Sequence, residues 1–476
     1  MGKGILIHLQ DVNESKKSSK LDIWLDEERE NLLCDITSLV KIESVAQEED
    51  PTSDEPFGSE CKKALDQFLY ISRRDKMESY NHDGYCASAI IGSSNKTKPE
   101  IGIWNHLDVV PVGSGWTYPP LKCTIKDGYV IGRGVQDNKG PAMAVHYAMK
   151  YCLQQDLIKN IRVRQILGCQ EESGMRDVKH YLENEKAPNY SFVADCGFPV
   201  CCGEKGHYNV TFKSRNYFSR FKELSAGTAA NMIPDEATAV LVTEQGEKTY
   251  QCRGIGGHAA FPPGSKNAIG MLAAKLKKVI GRDKNYLDLL EFLYRTASDG
   301  YGRKLGIACE DELSGKLTCN AGILKLEQGK TILSLDIRYP ITVSGASIKK
   351  QLYSEADKSG FDIIKEEDDP PYYMNEKSPF VQTLMSAWKE ETGQNDEPFV
   401  MGGGTYARKI PNAIGFGPGQ DRDFSVLGLS EGHGNCHSAD EAESVDNIQK
   451  AVKIYVNALV KLDQWVGKGM VNNENI

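Results

Sequence analysis

No stretch of this 476-residue sequence approaches the roughly 18 consecutive apolar residues of a membrane-spanning helix, so a helical membrane protein is excluded. A basic excess is missing too: 57 Lys and Arg stand against 66 Asp and Glu, a net charge of −9. The positive footprint that phosphate backbones and anionic lipid surfaces require is therefore absent, and neither nucleic acid nor membrane is expected as a partner. The thirteen cysteines are odd in number and show neither C-x-x-C nor the spacing of a disulfide framework. The opening GILIHL is too short for a secretory signal and is followed by acidic residues without a small-residue cleavage site. These features predict a reduced, cytoplasmic protein. No internal repeat is found, and the glycine run Gly402-Gly403-Gly404 lacks the Gly-Lys-Ser/Thr ending of a phosphate loop.

What is present points elsewhere. The length exceeds one hydrophobic core and predicts two or three domains, and 40% hydrophobic with 26% charged residues is a globular balance. Helical spacing of Trp24, Leu25, Leu32, Leu33, Ile36 and Leu39 predicts an amphipathic helix over 21–39, with a second over 62–71. Residues 101–111, IGIWNHLDVVP, then read as a buried strand that delivers His106 and Asp108 with one residue between them. An imidazole can bind a metal through one nitrogen while a carboxylate holds the other. Alone, such a pair is more often a packed or surface pair.

Downstream the same theme returns. Asp137 precedes Lys139-Gly140-Pro141, where Pro141 suits the first turn of a helix; Asp137 or Asn138 could equally serve as its N-cap. The strand at 161–167 ends in Glu171-Glu172-Ser173-Gly174, two carboxylates that can divide the work of ligand and general base. Phe192-Val193-Ala194 ends in Asp195. Three strand ends have then delivered acidic or imidazole groups, which is where open α/β sheets place their sites.

From Glu204 the pattern changes to half-exposed alternating strands with helices over 267–280 and 286–296, predicting an inserted α+β domain that ends near 375. Within it, Asn231, His258 and Arg338 are candidates. By themselves His258 and Arg338 read as a loop histidine and a surface ion pair. In SLDIRYP, however, Arg338 lies on the face opposite Leu333, Leu335 and Ile337, free to reach an anion. Past residue 379 come the Gly402–Gly404 run, then GHGNCHSADE, with His437 and Glu441 one helical turn apart, and a final helix carrying Ile448, Val452, Ile454 and Leu459.

The ordered series HLDVVP, GWTYPP, KDGYVIGRG, KGP, EESG, FPV, GEKG, ANMIPD, DIRYP and GGGTYAR resembles the aminoacylase/carboxypeptidase/dipeptidase family of co-catalytic metallopeptidases, most closely its bacterial PepV-type dipeptidases. The resemblance runs from near Pro56 to the end and leaves out residues 1–19. It implies an open mixed-sheet α/β catalytic domain of the zinc-peptidase kind (20–203 and 376–476) carrying an inserted α+β, ferredoxin-like lid (204–375). It also implies two divalent ions, Zn²⁺ with Mn²⁺ or Co²⁺ as alternatives, since mixed N/O ligands do not choose among them. Asp137 would bridge the ions, His106 and Asp195 would complete one site, and Glu172 and His437 the other. Glu171 would be general base, Asp108 would orient His106, and His258 and Asn231 would reach the scissile carbonyl. Arg338, with backbone at Gly403 and Gly404, would hold the carboxylate of a small peptide. A large lid favours a monomer over a homodimer.

Three residues depart from the family pattern: Asn105 for a glycine, Asn138 for an aspartate, and Gly197 for an acidic residue. They leave every proposed ligand in place but change the charge behind the ligands. Cys169, Cys196 and Cys436, near site residues, read as small packing groups rather than redox sensors. Two rival readings share the motifs: an N-acyl amino acid deacylase with the same ligands, and a catalytically silent relative that binds peptide or metal.

Overall fold

The computed structural model describes residues 19–469; the GILIHL segment and His8 lie outside them. The first helix runs Lys20–Val40, and Ser19 starts it: its hydroxyl accepts from the Asp22 N–H while the Asp22 carboxylate accepts from the Ser19 N–H. Leu25, Leu32, Ile36 and Leu39 form its buried stripe. The second helix spans Ser59–Arg74, longer at both ends than its apolar periodicity alone delimits.

Among the described residues the main sheet has nine strands. Glu100–His106 lies at its centre, parallel to Arg162–Gly168 on one side and to Tyr190–Val193 on the other. Cys86–Gly92 and Glu78–His82 extend one edge antiparallel, while Ala413–Gly415 joins Tyr190–Val193 in parallel on the other side. The sheet is mixed, and its parallel middle is covered on both faces, as such strands require. Lys139–Gln154 is buried along nearly its whole length, and Val445–Gly467 packs on it and on Pro379–Thr392. Helix Lys139–Gln154 begins at Lys139, which moves Pro141 to its third residue, and Asn138 precedes it without a side-chain cap bond.

The chain leaves this sheet after Cys201–Glu204 and enters a second, seven-stranded one at Gly206–Ser214. It leaves that sheet after Phe361–Asp369 and rejoins the first at Tyr372–Tyr373. The second sheet is antiparallel throughout. Leu333, Leu335 and Ile337 on its interior strand Lys330–Tyr339 share one core with Leu272, Leu289 and Leu293 from helices Ala268–Leu276 and Lys284–Ala297. The main sheet has its own core, so the molecule is two layered units with separate interiors. Among the described residues, no helix is long and apolar enough to cross a membrane.

Candidate metal centre and cleft

The parallel strands end side by side, and their ends bring the predicted groups together. His106 closes the central strand, fully buried. Its Nδ1 lies 3.0 Å from the Asp108 carbonyl oxygen and 3.3 Å from Asp108 Oδ1, leaving Nε2 to point at Asp137 Oδ1, 2.9 Å away, and Asp195 Oδ2, 3.6 Å away. Asp108 has a second task. Its two carboxylate oxygens accept from the N–H groups of Glu171 and Glu172, at 3.2 and 3.1 Å, so one buried carboxylate fixes both the imidazole and the Glu-Glu turn.

Asp137 stands between two histidines. Its Oδ1 faces His106, and its Oδ2 lies 3.0 Å from His437 Nε2, which is also 3.0 Å from Glu172 Oε1. His106, Glu171 and Asp195 each offer a ligand atom within 4.8 Å of one another, as do His106, Asp137 and Glu172. Glu171 Oε1 is buried without a hydrogen-bond partner among the described residues. Four carboxylates and two imidazoles in one half-buried space, one oxygen orphaned, fit divalent cations of intermediate hardness.

The electrostatics agree. Burial, with the charges of Asp195, Glu172 and Asp137, raises the Glu171 carboxyl well above its ordinary range. Burial and Asp137 push Glu172 up to about 7, and burial with Asp137 raises Asp195. The imidazoles respond in the opposite sense to their desolvation. Burial lowers His437, but bonds to Asp137 and Glu172 override it and raise its pKa to about 11. Burial opposes charge on His106 as well, and Asp195, Asp108 and Asp137 reverse it. Asp137 is held low, since His106 and His437 outweigh its burial. Shifts in these directions mark crowded carboxylates that favour added positive charge, as a divalent cation would supply.

The anchoring roles around this centre were not read from the sequence, where Glu441 was noted only for its spacing from His437. Glu441, fully buried, accepts from the N–H groups of Gly134, Gln136 and Asp137 and from Arg133 Nη1 at 2.6 Å, cradling the turn that presents Asp137. Asp177 accepts from the N–H groups of Cys169 and Gln170 and from the Tyr406 hydroxyl. Glu204 accepts from the Thr405 N–H and hydroxyl and from Arg408 Nε, tying down the Gly402–Gly404 loop. Tyr406, Arg408 and Glu204 lay inside the GGGTYAR and GEKG motifs, where nothing local marks a buried carboxylate as a backbone anchor. The expected helical turn between His437 and Glu441 is not formed. His437 (φ 60°) and Asp440 (φ 54°) occupy left-handed positions in a turn, so His437 and Glu441 diverge, one to the cleft and one to the interior.

From the second unit, Met232–Ile233 pairs with Gly257–His258, which sets Asn231 and His258 side by side at an exposed tip. The Asn231 carbonyl accepts from the Ala259 N–H at 2.8 Å. Although solvent reaches it, His258 is crowded enough at the cleft that desolvation, then the Arg338 cation, lowers its pKa, and His437, a candidate ligand, acts on it in the same sense. The expectation that Arg338 is free is corrected. Its Nε and Nη2 donate to Asp336 at 2.7 and 2.8 Å, and Nη1 donates to the Gly402 carbonyl at 2.9 Å. Both residues are buried in the layer between the units, because the polar face of that strand meets the main unit rather than water. Beside Asp137 and Asp195 opens a cavity of about 850 Å³, walled in part by Phe198, Trp388 and Arg422.

Comparison with known proteins follows the same outline. The family described as peptidase family M20/M25/M40 matches residues 102–461. YtjP of Bacillus subtilis (strain 168) is 29% identical over 467 residues, covering 91% of this chain and 97% of that protein. The Beta-Ala-Xaa dipeptidase of Lactobacillus delbrueckii subsp. lactis is 28% identical over 468 residues, covering 91% and 96%. The crystal structure of human carnosine dipeptidase 1 superposes with a TM-score of 0.59 at 15% identity over 94% of this chain and 98% of that one, which speaks for the fold alone.

Proposed function

The chain belongs to peptidase family M20/M25/M40, and on that premise we propose that it is a metallodipeptidase, hydrolysing the peptide bond of free dipeptides with two divalent cations, Zn²⁺ first and Mn²⁺ or Co²⁺ as alternatives. One observation carries the reading. Asp137 turns one oxygen to His106, with Asp195 behind it, and the other to His437 and Glu172, so a single carboxylate stands between two ligand sets. His106, Asp137 and Asp195 would hold one cation, and Asp137, Glu172 and His437 the other. When bound, the cations supply Lewis acidity toward the peptide carbonyl and a water acidic enough to attack at neutral pH.

The chain's own groups do the rest. Glu171, its Oε1 buried and unpartnered, takes a proton from the attacking water and returns it to the leaving amine. The Ala260 N–H donates to His258 Nδ1 at 3.2 Å, which assigns the imidazole proton to Nε2. That N–H, with the Asn231 amide beside it, meets the oxygen that gains charge in the transition state. Arg338 spends three of its five N–H groups on Asp336 and Gly402 and keeps two for the substrate's carboxylate, near the backbone of Gly403 and Gly404. A guanidinium so fixed measures a set distance from the metals, which limits the substrate to a short peptide.

We assign residues 20–203 and 376–476 to the catalytic domain and 204–375 to the lid. One chain supplies both ligands and tip, which supports a monomer, and thirteen unpaired cysteines support a reducing, cytoplasmic setting. The test is chelated protein, with Mn²⁺, Zn²⁺ or Co²⁺ restored, assayed on unblocked dipeptides, tripeptides and N-acetyl amino acids. Metal-dependent cleavage confined to free dipeptides is expected. Cleavage of only the acetylated compounds would make the protein a deacylase on the same centre, and no cleavage of any would leave a silent relative.

A further inference from the structure

Behind Asp195 three carboxamides stand in a row without exposed surface: Gln165, Asn105 and Asn138. Asn138 occupies a helix N-cap position and does not cap. Instead its Nδ2 donates to Asp195 Oδ1 at 2.7 Å and to the Ala194 carbonyl at 2.8 Å. A backbone carbonyl only accepts, so the amino end of Asn138 faces it and Oδ1 turns the other way. There Asn105 Nδ2 donates to it at 2.6 Å while also reaching the Ala194 carbonyl at 3.2 Å. Asn105 Oδ1 in turn accepts from Gln165 Nε2 at 3.1 Å, and the same nitrogen donates to the Ala142 carbonyl at 2.8 Å. Two main-chain carbonyls, of Ala194 and Ala142, thus fix the direction of every amide in the row.

The row ends by choosing between the oxygens of Asp195. Oδ1 is committed to Asn138, and Oδ2 is the one that faces His106. We propose that Asn138, braced by Asn105, is a positioning residue that holds Asp195 with Oδ2 toward the cation it shares with His106. The proposal rests on the two-cation reading above. Asn138 and Asn105 are then one coupled arrangement. A carboxylate at 138 would set acceptor against acceptor at both Ala194 and Asp195, and a glycine at 105 would remove the donor that orients Asn138.

The experiment is a chelator-competition titration that reads both metal affinities, together with the visible absorption of the Co²⁺-loaded protein, for wild type, Asn138→Asp, Asn105→Gly and the double variant. Asn138→Asp should weaken one of the two metal equivalents about 10- to 100-fold and change the Co²⁺ spectrum of that equivalent, leaving the other within about threefold. Asn105→Gly should weaken the same equivalent less, and the double variant should depart from the product of the two single effects, as coupled residues do. If Asn138→Asp does not fold, Asn105→Gly and the milder Asn105→Ala read the same coupling from the far end. Unchanged affinities and spectra, or equal loss at both sites, would overturn the positioning role while leaving the dipeptidase reading intact. A wild-type protein that takes up no divalent metal would overturn both.

Discussion

The two sides of the cleft are made differently. On the main sheet, His106 and Asp108 are buried, and the Glu171–Glu172 turn and Asp137 are pinned by backbone bonds to Asp108 and Glu441. On the lid, Asn231 and His258 sit exposed on a pairing of two-residue strands. On the proposed reading the difference has a reason: ligands that meet a cation within a few tenths of an ångström need a frame that does not move, whereas groups that close over a substrate must be able to withdraw. Arg338 belongs to the boundary: it is rooted in the lid sheet, locked to Asp336, and bonded to Gly402 of the opposite side.

Replacing Glu171 by Ala tests the rigid side most severely. Turnover of a dipeptide should fall by about a thousandfold, within the usual span for general acid–base groups, while metal content measured by atomic emission stays near two per chain. Equal loss of metal and activity would exchange the roles of Glu171 and Glu172. His258→Ala should cost roughly a hundredfold in kcat/KM, as removing an oxyanion donor does, with unaltered metal affinity and an unaltered melting temperature. A fall in melting temperature would mean that the tip is structural and the contrast between the two sides is false.

Metal uptake by the rigid side should depend on pH. Bonds to Asp137 and Glu172 raise His437 to about 11, so it should carry a proton at pH 7 in the metal-free protein, which metal binding would displace if His437 is a ligand. Protons should therefore be released into weakly buffered solution on metal addition, and apparent affinity should rise about tenfold per pH unit for each proton displaced, weakening as pH falls. No proton release would place His437 outside the ligand set. The smallest effect is expected at the boundary. Asp336→Asn frees the guanidinium of Arg338, and KM for a free dipeptide should rise roughly three- to tenfold with kcat little changed, whereas a C-terminally amidated dipeptide should show no further loss. An equal rise for both substrates would separate Arg338 from the carboxylate.

Much of the rigid side was legible in the sequence because its signals are local. Alternation announces the strand before His106, a strand and a Ser-Gly turn frame Glu171 and Glu172, and Val193-Ala194 leads into Asp195. The ends of those strands converge because parallel strands in one sheet share a direction. The lid tip was legible only as isolated candidates, since a two-residue pairing has no periodicity to detect. The burial and partners of Arg338 were missed for a related reason. Alternation correctly put it opposite Leu335 and Ile337, but a period of two cannot say whether the second face meets water or another unit.

What the sequence determined by itself is the set of chemical groups and the elements that carry them, because hydrophobic period, turn residues and motif order are properties of neighbouring positions. What only the tertiary structure decided is which groups hold which. Glu441 and Arg133 are 308 residues apart, Tyr406 and Asp177 are 229 apart, and Asn105 and Asn138 meet across 33. A buried carboxylate or amide must find its partners to offset lost hydration, and where those partners lie is fixed by packing of the whole chain, not by the residues beside it.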